Sequence, residues 1–144
     1  MHRYQKSEDQ ELVALIGALF AFGNVSSILK TLDQILRPLG ERPKATLLQT
    51  PKADLKKIWK KNYYRFYTES DIVFLFERLQ EILKKYENLE SAFATNWKGD
   101  TLQSLHEFRT LFTRKAPQTN GIKFMFANPF EGTAKRWHMF LRWV

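Results

Sequence analysis

Residues 12–22 read LVALIGALFAF, an apolar run broken only by Gly17. A helix that is apolar on every side cannot lie on a protein surface; it has to be enclosed by other helices. That requirement restricts the chain to folds in which one central helix is packed from several directions. Ser7 is placed to cap this helix, with Gln10 in capping-box position. Glu8, Asp9 and Glu11 fall in its first turn, where the helix dipole favours acidic groups. Gly23 suits a left-handed C-cap, and Gly17 marks a close approach by another backbone. The run does not read as a secretory leader, because acidic residues precede it and no small-residue cleavage site follows. Its eleven residues are too few to span a bilayer.

The remaining chain repeats helical signals. Asn24 is a good N-cap for a second helix carrying Val25, Ile28, Leu29, Leu32, Ile35, Leu36 and Leu39, which Pro38 and Gly40 terminate. Residues 42–50 form a short helical turn. A third helix is expected over 51–63, with Thr50 as N-cap and Pro51 in the first helical position. Thr68 starts the longest helix, with Asp71 in capping-box position and a stripe of Ile72, Val73, Phe76, Leu79, Ile82, Leu83 and Tyr86. Asn88 caps a short helix. Asp100 or Thr101 caps another, with Leu102, Leu105, Phe108, Leu111 and Phe112 turned inward. Residues 122–126 alternate and read as a short extended piece in a loop region. The fold class is therefore all-α: an orthogonal bundle of about six helices around the buried helix 12–22, in a single helical domain over residues 1–144.

Charge is distributed unevenly. The formal net charge is +8. Residues 51–66 hold six basic groups and one acidic, a net of +5, and residues 114–144 again six and one. The intervening residues 67–113 hold five basic and eight acidic, a net of −3. Two basic segments around an acidic one suggest a face turned to a polyanion, for which nucleic acid is the usual partner. Lys52, Lys56 and Lys60 recur at i, i+4, i+8 on one side of the third helix, and Lys57 and Lys61 widen the row. Tyr63, Tyr64, Phe66 and Tyr67 follow, with Arg65 among them. A solvated lysine face beside core aromatics is the simpler reading of this segment taken alone. The functional reading is a phosphate-facing row beside bases or sugars.

Other chemistries leave no trace. The chain has no cysteine, which excludes disulfides, thiol catalysis and thiolate metal sites. His2, His106 and His138 lie far apart, so no metal site is expected. No phosphate-binding, dinucleotide-binding or nucleophile-elbow motif occurs. No cofactor, catalytic residue or membrane association is expected, and a cytoplasmic location follows from the lack of disulfides and of a leader.

Residues 128–143, NPFEGTAKRWHMFLRW, carry the last signal. Pro129, Gly132, Thr133 and Ala134 open a helix whose first turns hold Lys135 and Arg136. Free backbone N–H groups at such a start bind phosphate without regard to base. Trp137, Phe140, Leu141 and Val144 form an apolar stripe on this helix, which is still running at Val144. The expectation is a polypeptide that continues beyond this chain. Its stripe would then pair with a second copy, making a homo-oligomer, or with a separately encoded C-terminal piece.

HRY at 2–4, LFAFGNV at 19–25, YYRF at 63–66 and EGTAKRWHMFLRW at 131–143 resemble a bacterial family of conserved hypothetical proteins, a domain of unknown function. The resemblance runs in order through nearly all of the chain, and the family's members are longer at both ends. That family is in turn remotely similar to the helix-hairpin-helix base-excision DNA glycosylases, whose hairpin reads roughly Pro-Gly-Val-Gly-x-Lys-Thr-Ala. Pro129 and Gly132 match its proline and second glycine, while Phe130 stands at the first glycine. Ala134 stands at the catalytic lysine of the bifunctional enzymes, and Lys135 is one position later. The resemblance implies DNA binding without a complete active site. The expected DNA-binding residues are Lys52, Lys56, Lys57, Lys60, Lys61, Arg65, Gly132, Thr133, Lys135 and Arg136. A protein-interaction or structural helical fragment is the alternative, and a peripheral membrane binder a third.

Overall fold

The computed structural model of the chain describes residues 4–130 together with residues 137, 140 and 141. It is all-α. The described helices are α1 (Ser7–Leu19), α2 (Val25–Leu36), α3 (Pro43–Gln49), α4 (Lys52–Trp59), α5 (Glu69–Tyr86), α6 (Leu89–Thr95), α7 (Thr101–Thr113) and α8 (Asn120–Met125), with a 3-10 turn at Arg37–Leu39 after α2. Trp137, Phe140 and Leu141 are also helical. The six or so helices expected become eight among the described residues, because α3 and α8 are complete short helices. None of the described helices is long and apolar enough to cross a membrane.

α1 is the enclosed element. Leu12, Ala14, Leu15, Ile16, Ala18 and Leu19 are buried, as is Phe20 just beyond, each large side chain contributing about 1.5–3 kcal/mol. Helices α2, α3 and α6 pack on it. α5 is the second hub, contacting α3, α4, α6 and α7. Glu8 and Asp9 stand in the first turn of α1 as expected, and the acidic residues of this helix also serve other helices. Asp9 accepts from the amide of Lys44 at 2.9 Å, capping α3, and Lys44 Nζ reaches Glu8 at 3.3 Å. Glu11 accepts from the amides of Leu89 at 2.6 Å and Glu90 at 3.3 Å, capping α6. Ser7 is not the cap expected: the N-cap is Lys6, without a side-chain bond. Gln10 instead donates to the Tyr4 carbonyl at 2.6 Å. α1 also ends at Leu19, short of Gly23.

The local caps of α2, α5, α6 and α7 form as their sequences require. Asn24, Asn88 and Asp100 accept from backbone amides three residues on, and Thr68 and Asp71 complete a reciprocal box. α2 departs from its expected burial. Ile35 and Leu36 are buried and Ile28 and Leu32 pack partly buried against the core, but Val25 and Leu29 are exposed. In α7, Leu102 likewise lies at the surface. α4 is shorter than residues 51–63, with Pro51 as its N-cap rather than its first helical residue. Thr50 is the C-cap of α3 rather than the N-cap of α4, and its hydroxyl donates back to the Thr46 carbonyl at 2.7 Å.

Residues 122–126 are helical, not extended. Thr119 accepts from the Ile122 amide at 3.1 Å as the N-cap of α8. The buried positions are Ile122, Met125 and Phe126, an i, i+3, i+4 pattern that a helix satisfies and a strand does not. α8 is tied to α5 through Asp71, whose carboxylate accepts from the Thr119 hydroxyl at 2.8 Å as well as from the Thr68 amide at 3.0 Å.

Trp137 and Phe140 are each only 2% exposed. Phe140 stacks on Phe108 at 5.9 Å, and Trp137 meets Phe108 edge-on at 6.1 Å. The Trp137 indole N–H donates to the Ala127 carbonyl at 2.8 Å. The expected outward stripe is thus corrected at these two positions, which face the core, while Leu141 is half-buried. Val144 lies outside the described residues.

Candidate nucleic-acid interface

α4 is amphipathic in the simplest way. Leu55 and Trp59 are buried, and Lys52, Lys56, Lys57, Lys60 and Lys61 are all exposed. Trp59 fixes the helix: its ring stacks on Phe76 at 3.8 Å and an interplanar angle of 4°, and its indole N–H donates to the Ile35 carbonyl at 3.0 Å. With that side pinned, the lysines have only the solvent side to occupy.

The five lysines are not equivalent. Lys52 lies 3.6 Å from Glu81 and Lys57 3.8 Å from Asp54. Both pairs are exposed and weak, but they reduce the free positive charge at those positions. Lys56, Lys60 and Lys61 have no ion pair among the described residues. Lys56 and Lys60 border a groove of about 330 Å³ whose opposite wall, from α5, carries Glu69, Ser70 and Glu77. The carboxylates of that wall offset part of the attraction of Lys56 and Lys60 for a polyanion, whereas Lys61 and Arg65 do not line the groove.

The turn after α4 is built by two tyrosines. Tyr64 and Tyr67 exchange backbone hydrogen bonds of 3.0 and 2.8 Å, closing a two-residue turn over Arg65 and Phe66. The Tyr67 hydroxyl donates to the Leu19 carbonyl at 2.5 Å, and the Tyr64 hydroxyl donates to the carbonyl of Phe22. These bonds anchor the turn to the end of α1. They turn Tyr64 and Tyr67 inward and leave Tyr63, Arg65 and Phe66 outside. A cluster of four aromatics in the core would leave none outside; the structure divides it two and two. Arg65 adopts φ +51°, a left-handed conformation that costs a non-glycine residue roughly 1–2 kcal/mol. Gly23, itself at φ +94°, makes room for it, since a Cβ there would sit 2.6 Å from both Arg65 Nε and the Tyr64 hydroxyl.

Two further aromatics complete this surface, and neither was singled out from the sequence. Phe22 stacks with Phe66 at 6.3 Å and meets Phe124 edge-on at 4.8 Å, and Phe66 lies 5.3 Å from Phe124. No local signal marks Phe124, whose outward position depends on α8 being a helix. Gly132, Thr133, Lys135 and Arg136, expected at a phosphate-binding helix start, lie outside the described residues. Of the preceding loop, Pro129 is buried and Phe130 exposed. The Phe130 amide donates to the Asn128 side chain at 2.9 Å.

A family model described as a protein of unknown function, DUF2400, matches residues 1–144. The chain belongs to the DUF2400 family. No curated protein and no solved structure matches it at significance. For this DUF2400 chain the chemistry has to be argued from the surface itself. Among the described residues, no three His, Asp or Glu side chains gather as a metal site would require. A concavity of about 530 Å³ near Tyr4, Asp33, Arg37 and Arg42 mixes both signs of charge and is lined by none of the lysines of the row.

Proposed function

We propose that this chain is a DNA-binding helical domain that grips the phosphate backbone through Lys56, Lys60, Lys61 and Arg65, without reading bases and without catalysis of its own. One observation carries the reading. α4 and the turn after it put these four cations on the outside, unpaired among the described residues, while Leu55, Trp59, Tyr64 and Tyr67 anchor the backbone beneath them. Each lysine at a phosphate releases a counterion, which makes binding tight at low salt and weak at high salt. The kinship with helix-hairpin-helix glycosylases implied by residues 129–136 agrees with a DNA partner and belongs to the same reading, as does a cytoplasmic location.

Fluorescence anisotropy with a labelled duplex tests it. The wild-type chain binds with an affinity that falls steeply with salt. Changing both Lys60→Gln and Lys61→Gln lowers the slope of log affinity against log salt by about 0.9 per lost contact. Changing Lys84→Gln and Lys85→Gln, an equal charge loss at the far end of α5, leaves the slope unchanged. No duplex binding at low salt refutes the reading. That result favours a protein-interaction module instead, for which Val25 and Leu29, exposed one turn apart on α2, offer an apolar face.

A further inference from the structure

We infer that Tyr63, Phe66 and Phe124 form a stacking platform for the unpaired bases of a single-stranded nucleic acid. The inference rests on the phosphate-binding reading above and adds the class of strand that the same surface prefers. Tyr63 is 73% exposed, Phe66 59% and Phe124 36%. Large aromatic side chains left wet are costly to a soluble protein, and contiguous ones mark a contact surface. Here Phe66 and Phe124 pack against Phe22 and each other, so these rings form one patch rather than scattered exposures, and Tyr63 is a further exposed ring three residues before Phe66.

The charge around the patch selects the occupant. Lys60 and Lys61 precede Tyr63, Arg65 separates it from Phe66, and Lys123 precedes Phe124; no acidic residue occurs between Leu55 and Thr68. A second copy of the chain would bring these four cations against their own equivalents. An unpaired strand offers what the surface lacks: phosphates for the cations and base faces for the rings. A duplex keeps its base faces stacked inside and can satisfy the cations alone.

The patch is also held in shape before any ligand arrives. The Tyr67 hydroxyl on Leu19, the Tyr64–Tyr67 exchange and the Asp71–Thr119 bond fix both of its halves, so little ordering is needed on binding. Arg65 retains its left-handed backbone although glycine would adopt it freely. Such an outlier persists where the surroundings over-determine it, and here it places a cation at the tip of the turn.

The test measures affinity for a labelled oligothymidine of about 15 nucleotides, a length suited to a single binding surface, and for a duplex of equal length. The wild type binds the single strand more tightly. Phe66→Ala and Tyr63→Ser each lower single-strand affinity about 5- to 150-fold, the loss of one base–aromatic stack, and leave duplex affinity unchanged. Arg65→Gly lowers single-strand affinity and flattens its salt slope by about 0.7 without lowering the melting temperature, which separates loss of contact from loss of fold. Equal affinity for the two strands, with the aromatic variants indistinguishable from wild type, overturns the inference and leaves the phosphate reading intact. Failure to bind either strand overturns both. Sedimentation showing a wild-type dimer that Phe66→Ala converts to monomer also overturns it, assigning the patch to self-association.

Discussion

Glu11 is 6% exposed, and replacing it tests how α1 is joined to the rest of the fold. Burial penalises its charged form more than the Leu89 and Glu90 amides favour it, and the nearby Glu90 charge adds to the effect while Lys44 opposes it. The Glu11 carboxyl is therefore held above the ordinary carboxylate range. A carboxyl whose pKa is raised on folding binds its proton more tightly in the native state. Its contribution to stability is fully present below the unfolded value and is lost as pH rises through the folded one. Glu11→Gln keeps an oxygen that can accept from both amides and removes the charge. At pH 7 this variant is as stable as wild type or more so. Glu11→Ala leaves the amide that donates at 2.6 Å and its neighbour at 3.3 Å without an acceptor, at a cost of about 1–3 kcal/mol. Urea titrations of the three proteins at several pH values read this directly. Stability of wild type relative to the Gln variant should fall with rising pH above the ordinary range. If the Gln variant loses as much as the Ala variant at pH 7, or if wild type gains on it with rising pH, desolvation does not dominate at Glu11.

Leu19→Ala empties a fully enclosed position and should cost about 2–5 kcal/mol, read as a lowered thermal midpoint; an unchanged melt would contradict the enclosed helix. Gly121→Ala should destabilise by about 1–3 kcal/mol through overpacking, because its Cβ would overlap the Asp71 carboxylate and sit 2.5 Å from the Phe66 carbonyl. The same variant should weaken single-strand binding by shifting Phe124, and a variant that keeps wild-type stability and affinity would break the link between α8 and the patch.

Local signals were legible in the sequence. Asn24, Asn88, Asp100 and the Thr68–Asp71 box act within one turn of themselves, so their chemistry is visible at close range in the chain. The apolar run of α1 also announces its own enclosure. Partner identity was not legible. Asp9 and Glu11 suit the first turn of their own helix, and nothing nearby reveals that they cap α3 and α6. Ile122 to Phe126 alternates well enough to imitate a strand, and only the burial of Met125 beside Ile122 shows which period governs. At the candidate interface the lysine row was readable from its spacing. The division of the four aromatics was not, because it depends on hydroxyl bonds to Leu19 and Phe22 more than forty residues earlier.

The reach of Glu11 has a consequence for synthesis. Its partners Leu89 and Glu90 lie 78 and 79 residues further along the chain. At about 5–20 residues per second, a ribosome takes roughly 4–16 s to make that intervening length. For all of that interval the carboxylate of α1 has no helix to cap, and the side of α1 later covered by α6 stays open to any apolar surface it meets. The apolar run of α1 thus waits through that interval for the helix that completes its cover, so the yield in a cell should depend on how fast residues 20–95 follow it out.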